Sequence, residues 1–178
     1  DEGTVFDETK PVLDPYAKAS LTRKGPGIVI SPNRLCARTD AFEPPAMSDL
    51  VIVEAHLRDL LADARLPLGK TERLGFEGLR QWALDKGNYL QSLGVNAIEL
   101  QPLQEFDNLE REEYHWGYMP VNYFSPASAY SSRPEEASGL EELRSVVEAF
   151  HAAGIAVLVD VVCNHMGLPT HLALLDKI

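Results

Sequence analysis

Apolar residues recur along this chain in short runs separated by segments of helical spacing. Three runs are rich in β-branched residues and bounded by polar ones, at residues 50–57, 95–100 and 155–162. Their length and composition predict strands buried on both faces. Between them, apolar residues three and four apart predict helices near 77–93 and from 138 to 153. The order strand, helix, strand, helix, strand is typical of a parallel α/β sheet.

The ends of the predicted helices carry recognisable signals. Gly94 and Gly154 stand where a helix ends in a left-handed residue, directly before an apolar strand. Ser138, with Glu141 three residues later, predicts a capping box at the start of the second helix. Each helix is therefore expected to end in glycine and to lead straight into the next strand.

The first 48 residues differ from the rest because proline is frequent in them. The prolines are Pro11, Pro15, Pro26, Pro32, Pro44 and Pro45. Proline at this density excludes long helices. We interpret residues 1–20 as the end of a β-rich module and residues 21–48 as a linker, with the α/β region beginning at residue 49.

A long segment at 102–137 has no clear periodicity but is rich in aromatic residues, which disordered loops lack. They are Phe106, Tyr114, Trp116, Tyr118, Tyr123, Phe124 and Tyr130. We predict an ordered segment and leave two interpretations open. It forms either a small aromatic core or a stacking platform for the apolar face of a sugar ring.

Polar side chains follow the predicted strands at the edge where parallel sheets bind ligands. Glu99 closes the second strand, and Asp160, Asn164 and His165 lie at the end of the third. A carboxylate inside an apolar run is costly unless it is hydrogen-bonded. Asp160 is therefore either a structural residue or part of a site for a polyhydroxylated ligand, and both interpretations stay open here.

Charge and cysteine content limit the classes of partner and the cellular compartment that fit this protein. The formal net charge of −11 argues against nucleic acids and anionic membranes as partners, since both are polyanions. No apolar run reaches 18 residues, so no membrane span is expected. Cys36 and Cys163 are expected to be free thiols, which favours a reducing compartment such as the cytoplasm. Nucleotide-binding glycine loops, zinc-protease and serine-hydrolase motifs are absent from the sequence.

Asp-Val-Val-Cys-Asn-His at 160–165 resembles the motif at the third barrel strand of the α-amylase superfamily of glycoside hydrolases. His-Trp-Gly-Tyr-Met-Pro-Val-Asn-Tyr at 115–123 resembles a segment of the pullulanase- and isoamylase-like debranching enzymes. Residues 53–59 and 93–102 resemble their first two barrel strands, and residues 13–19 resemble the exit from their β-sandwich module.

The resemblance implies roles for particular residues. Tyr118 would stack on the sugar before the scissile bond, and His165 would hydrogen-bond the hydroxyls of that sugar. Asp160 would hold the site together, and Trp116 belongs to the same predicted substrate-binding set. Asn164 matches a calcium ligand of many α-amylases, but debranching relatives often lack that ion, so calcium stays open.

The implied fold is a partial (β/α)8 barrel, its first three strands lying in residues 49–178, preceded by the end of a β-sandwich. The family's catalytic carboxylates lie on later strands, so we expect no catalytic residue in this chain and no activity from it alone. A complete barrel needs about 250 residues. We therefore expect the chain to be the N-terminal part of a larger enzyme.

Four functional interpretations follow. The first is a debranching-like hydrolase of α-glucans such as glycogen, starch or maltooligosaccharides. The second is a glucan-branching or other transferase, and the third is a non-catalytic amylase-like glucan-binding protein. The fourth, an unrelated doubly wound α/β protein, is disfavoured because two specific motifs occur together. The sequence does not indicate an oligomeric state.

Overall fold

A computed structural model of the protein describes residues 9–35, 40–85 and 89–172, and the strands in these ranges form two sheets. A parallel sheet has the order β1–β2–β5, and an antiparallel pair joins β3 to β4. The strands are β1 (Ile52–Ala55), β2 (Ala97–Leu100), β3 (Gln104–Phe106), β4 (Pro120–Pro126) and β5 (Ala156–Val159). The predicted parallel α/β sheet is confirmed.

Four α-helices and several short 3-10 turns complete the described ranges. The helices are α1 (Pro32–Leu35), α2 (Leu57–Ala62), α3 (Phe76–Leu84) and α4 (Gly139–Ala152). The 3-10 turns lie at Met47–Asp49, Glu72–Leu74, Gln91–Leu93, Ser128–Tyr130 and Pro134–Glu136. No helix of the described part is long and apolar enough to cross a membrane.

The core lies between the parallel sheet and the pair α3 and α4, which pack against each other. Ile98 and Leu100 of the central strand are fully buried, and the rings of Trp82 and Phe150 meet edge to face at 6.3 Å. Burying a large apolar side chain contributes about 1.5–3 kcal/mol. This packing fixes the sheet and therefore the positions of its strand ends.

The helix predicted near 77–93 is shorter than expected. It ends at Leu84, because Asp85 has extended backbone angles and its N–H donates to Trp82 O in a closing turn. Leu90 is nevertheless fully buried in the core, whereas Leu93 is 61% exposed. The apolar spacing thus identified the buried face but not the point where the helix ends. Gly94 has the predicted left-handed conformation, with φ +71°.

The predicted capping box at Ser138 is wrong. Ser138 has helical backbone angles, and its Oγ accepts a hydrogen bond from the Arg133 N–H at 3.0 Å. Glu141 instead receives two hydrogen bonds from the Arg34 guanidinium, at 2.7 and 2.8 Å. Ser138 therefore binds the turn just before the helix, whereas Glu141 forms a tertiary ion pair with Arg34 of α1, and neither side chain caps α4.

The third predicted strand ends early and is less buried than expected. It stops at Val159, so Asp160 follows the strand and does not interrupt it. Val159 is 43% exposed and Val161 48%, because β5 lies at an edge of the described sheet. Burial on both faces needs other elements packed over each face. A strand at the edge of the sheet is covered less completely, and among the described residues only β2 has a neighbouring strand on each side.

The proline-rich N-terminal segment packs on the α/β region. Leu13 and Ala19 are buried, and the Leu13 N–H donates to His171 Nδ1 at 3.1 Å. Arg23 donates to Leu168 O at 2.7 Å. The division into residues 1–20, 21–48 and 49–178 stays a prediction. Cys36 lies outside the described residues, and Cys163 is a free, exposed thiol.

Candidate functional site

The carboxyl ends of the three parallel strands place acidic side chains at one edge of the sheet. Glu54 of β1 lies opposite Glu99 of β2, and Glu99 lies opposite Leu158 of β5. Asp160 follows two residues later, with its N–H bonded to Leu100 O at 3.0 Å. Parallel strands end at a common edge, so the sheet itself gathers these carboxylates.

Tyr118 joins this edge from the long segment after β2. Its hydroxyl donates to Asp160 Oδ2 at 2.8 Å. Burial, then the hydrogen bond to Asp160 and the charges of Asp160, Glu54 and Glu99, raise the pKa of Tyr118 to about 12. Tyr118 is therefore a protonated donor at neutral pH, and its ring is fixed beside three carboxylates.

His165 closes the same network from the loop after β5. Its Nε2 lies 2.7 Å from Tyr118 O. A carbonyl can only accept, so Nε2 carries the proton. The Tyr123 hydroxyl donates to His165 O at 3.3 Å. His165 itself is exposed, so the structure brings Tyr118, Asp160 and His165 together with the imidazole facing solvent.

The aromatic residues of the long segment divide into two groups. Phe106 and Tyr130 are 1% exposed and belong to the core, whereas Tyr114 is 53% and Trp116 61% exposed. The two interpretations of this segment therefore apply to different rings. Trp116 lies two residues before Tyr118 and is available to a ligand.

Asn164 lies in an open groove lined also by Tyr123, Cys163, His165 and Met166. Calcium takes six to eight oxygen ligands. Within the described ranges no cluster of three or more His, Cys, Asp or Glu side chains suits a metal ion. The groove residues by themselves do not fit a calcium site, and we derive no chemistry from that ion.

His56 and Arg58, which follow β1, form hydrogen bonds with the aromatic-rich segment at 102–137. Both are buried, and burial lowers the pKa of His56, so the ring is neutral. His56 Nε2 lies 3.1 Å from His115 O and 3.1 Å from the Tyr130 hydroxyl. The Arg58 guanidinium donates to backbone carbonyls, those of Leu74, Arg111, Glu113 and Ala129. Both side chains hold the loop segments in place, and His56 also lines a cavity together with Glu54 and Gln101.

Sequence reasoning missed two residues near the site, His115 and Asp107. His115 Nε2 lies 3.0 Å from Asp107 Oδ1, and its Nδ1 accepts from the Gly117 N–H at 2.9 Å. His115 belongs to the segment that carried the resemblance, and that was its only signal. Asp107 had none, because the contact depends on how the chain folds back between β3 and β4.

Comparison with known proteins identifies similar chains. Residues 77–172 match the family model described as the alpha amylase, catalytic domain. Isoamylase 3, chloroplastic, from Oryza sativa subsp. japonica is 37% identical over 190 residues, which cover 93% of this chain and 24% of that protein. Pullulanase from Bacillus subtilis (strain 168) is 30% identical over 173 residues, covering 89% of this chain and 24% of its own length.

Solved structures give the same result. Pullulanase from Bacillus acidopullulyticus superposes with a TM-score of 0.73 at 28% identity, covering 94% of this chain and 22% of that one. A pullulanase from Anoxybacillus sp. LM18-11, complexed with maltotetraose, gives 0.72 at 26% identity, covering 87% and 24%. The chain thus spans about a quarter of the length of the relatives it matches.

Proposed function

Because this chain belongs to the alpha-amylase catalytic-domain family, we propose that the protein containing it is a debranching-like hydrolase of α-glucans. The observation that carries the proposal is the network of Tyr118, Asp160 and His165 at the carboxyl edge of the sheet. It lies in segments similar to isoamylases and pullulanases. The substrates are glycogen, starch or maltooligosaccharides, and the bond cleaved is an α-1,6 or α-1,4 bond.

The side chains of this network suit a neutral, polyhydroxylated ligand. The ring of Tyr118 offers an apolar face for the C–H face of a glucose residue, and Trp116 is a second exposed aromatic ring. His165 presents its free ring nitrogen to sugar hydroxyls. Asp160 holds the Tyr118 hydroxyl and so acts on the ligand through that ring. The surrounding carboxylates accept hydrogen bonds from hydroxyl groups and repel anions.

The barrel and domain assignments belong to the same proposal. β1, β2 and β5 are the first three strands of a (β/α)8 barrel in residues 49–178, after a linker at 21–48 and the end of a β-sandwich at 1–20. Ile52 is 48% and Val159 43% exposed at the two edges of the described sheet, which supports further strands pairing there. The free thiol of Cys163 supports a cytoplasmic location.

The test uses the full-length protein with amylopectin and pullulan. A debranching hydrolase releases new reducing ends and raises the iodine absorbance of amylopectin, because longer linear chains become free. A branching transferase lowers the iodine absorbance without new reducing ends. If reducing ends and iodine absorbance both stay unchanged but the protein is retained on an amylopectin affinity gel, it is a non-catalytic glucan-binding protein. That result would overturn the proposed activity.

A further inference from the structure

We infer that His115 and Asp107 form a positioning pair, which sets the ring of Tyr118 and the loop of His165 relative to each other. The inference rests on the proposed function, since the residues positioned are those proposed to hold the glucan. His115 and Asp107 act through Tyr118 and His165. Their contribution is to fix two separate loops in one geometry.

The hydrogen bonds of His115 define its tautomer. Nδ1 accepts from the Gly117 N–H at 2.9 Å, so it carries no proton. The ring proton therefore sits on Nε2 and is donated to Asp107 Oδ1 at 3.0 Å. The imidazole also stacks on buried Phe106, with ring centres 4.8 Å apart and planes 17° apart. Three contacts of different kinds thus hold the ring in one orientation.

The bond to Gly117 fixes the turn that presents Tyr118. Gly117 has φ +83°, a conformation that other residues rarely adopt. A Cβ atom at this position would lie 2.7 Å from Pro102 O, so the turn is packed against the segment after β2. Tyr118 follows directly. Movement of the His115 ring would therefore move the Tyr118 ring with it.

Asp107 connects that turn to the loop after β5. Its second oxygen, Oδ2, accepts from the Leu168 N–H at 3.2 Å. Its backbone N–H donates to Met119 O at 3.1 Å. Gly167 packs so closely here that a Cβ atom would overlap Met119 O and the Asp107 side chain. The Asp107 carboxylate therefore bridges the turn of Tyr118 and the loop that carries His165.

The chain offers a matched control for this pair. His151 Nδ1 lies 2.5 Å from Asp40 Oδ2, and the His151 ring stacks on Phe42 at 4.1 Å. This second trio also combines His, Asp and Phe. His151 lies in the last turn of α4, just before β5 begins, whereas Asp160 follows the end of β5. The two sites are therefore at opposite ends of that strand.

The experiment compares Asp107→Asn with Asp40→Asn in the full-length protein. An asparagine has a single acceptor oxygen, so at position 107 its amide must face one of two N–H donors. At position 40 the amide oxygen can keep the bond to His151. We expect Asp107→Asn to lower kcat/KM on amylopectin about tenfold to a hundredfold and Asp40→Asn to change it less than about twofold. Equal effects, or no effect at position 107, would overturn the pairing.

A second variant separates the two bonds of the imidazole. In His115→Asn the side-chain oxygen can still accept from the Gly117 N–H, as in an Asx turn, but it is too short to reach Asp107. We expect kcat/KM to fall as in Asp107→Asn, with a thermal midpoint like that of Asp40→Asn. Full activity in His115→Asn would show that the turn alone suffices and would overturn the role of Asp107.

A crystal structure of Asp107→Asn keeps this inference distinct from the proposed function. We expect the Tyr118 hydroxyl to leave Asp160, and Leu168 to move, while both stay in place in Asp40→Asn. If the wild-type protein lacks glucan hydrolysis, the proposed function fails. The inference is then decided only by where Tyr118 and Leu168 lie in the crystal structures of the two variants. An unmoved Tyr118 in Asp107→Asn would refute it.

Discussion

The Tyr118 hydroxyl donates to the Asp160 carboxylate at 2.8 Å, joining two residues 42 positions apart in the chain. Tyr118 lies just before β4 and Asp160 just after β5, so the bond connects the antiparallel pair to the carboxyl end of the parallel sheet. It leaves the ring of Tyr118 half-buried. The proposed stacking surface therefore exists only when both strands are in place.

Tyr118→Ala is expected to reduce activity far more than stability. Loss of the ring removes the proposed sugar contact, and we expect kcat/KM on amylopectin to fall at least about tenfold, equivalent to about 1.4 kcal/mol. The thermal midpoint should change by only a few degrees, because the ring is outside the core. Tyr16→Ala, at a 71% exposed tyrosine of the N-terminal segment, is the control. A large stability loss with turnover retained would favour a purely structural ring.

Buried Glu105 should make the free energy of unfolding depend on pH. It is fully buried, and its pKa is raised to about 7 by burial, partly offset by hydrogen bonds from Ser128 and Ser20. Between pH 4.5 and 7 the folded protein holds a proton that the unfolded chain releases. This contribution is fully present below about pH 4.5 and lost as pH rises to about 7.

Glu105→Gln should remove that dependence. Its amide can donate to the Ser128 hydroxyl while its oxygen accepts the fixed Ser128 N–H. At about 1.4 kcal/mol per pKa unit, we expect the difference in free energy of unfolding between variant and wild type to shift by about 3 kcal/mol in favour of the variant from pH 5 to pH 8. Denaturant unfolding at both pH values measures the difference. A parallel pH dependence in the two proteins would contradict the prediction.

Gly117→Ala should be more costly than Gly94→Ala. Both glycines have positive φ, at +83° and +71°, so each alanine pays about 1–2 kcal/mol. At Gly117 the new Cβ would also meet Pro102 O at 2.7 Å, whereas at Gly94 it would meet nothing within 4 Å. We expect a lower thermal midpoint for both and lost glucan hydrolysis only for Gly117→Ala. Equal midpoints with equal activity would argue against a tightly packed turn.

Arg58→Lys should destabilise the protein although it keeps the charge. The planar guanidinium reaches several carbonyls of different segments, and an ammonium cannot reproduce that geometry. We expect a loss of about 2 kcal/mol. Arg80→Lys, which changes a partly exposed pair with Glu77 in α3, should cost about 0.5 kcal/mol or less. Thermal unfolding compares the two, and similar losses would contradict a special role for Arg58.

The sequence located the main elements better than their ends. β1, β2, β5 and α4 were predicted because each buries an apolar stripe or run that its period reveals. The helix after 77 ended early at Leu84, and Ser138 did not cap α4. The two errors have different causes. A local turn bond from the Asp85 N–H to Trp82 O closes α3, whereas Ser138 binds Arg133 and Glu141 binds distant Arg34 instead of capping α4.

What the sequence alone determined is the order of the three parallel strands and of the two helices between them, and with it the end of the sheet at which Asp160 and His165 had to appear. Local periodicity and parallel topology suffice for that conclusion. Only the tertiary structure decided which aromatic rings are buried, how Arg58 is satisfied, and that Asp107 holds His115. Those contacts join distant segments through single hydrogen bonds, and a single hydrogen bond leaves no periodic trace in a sequence.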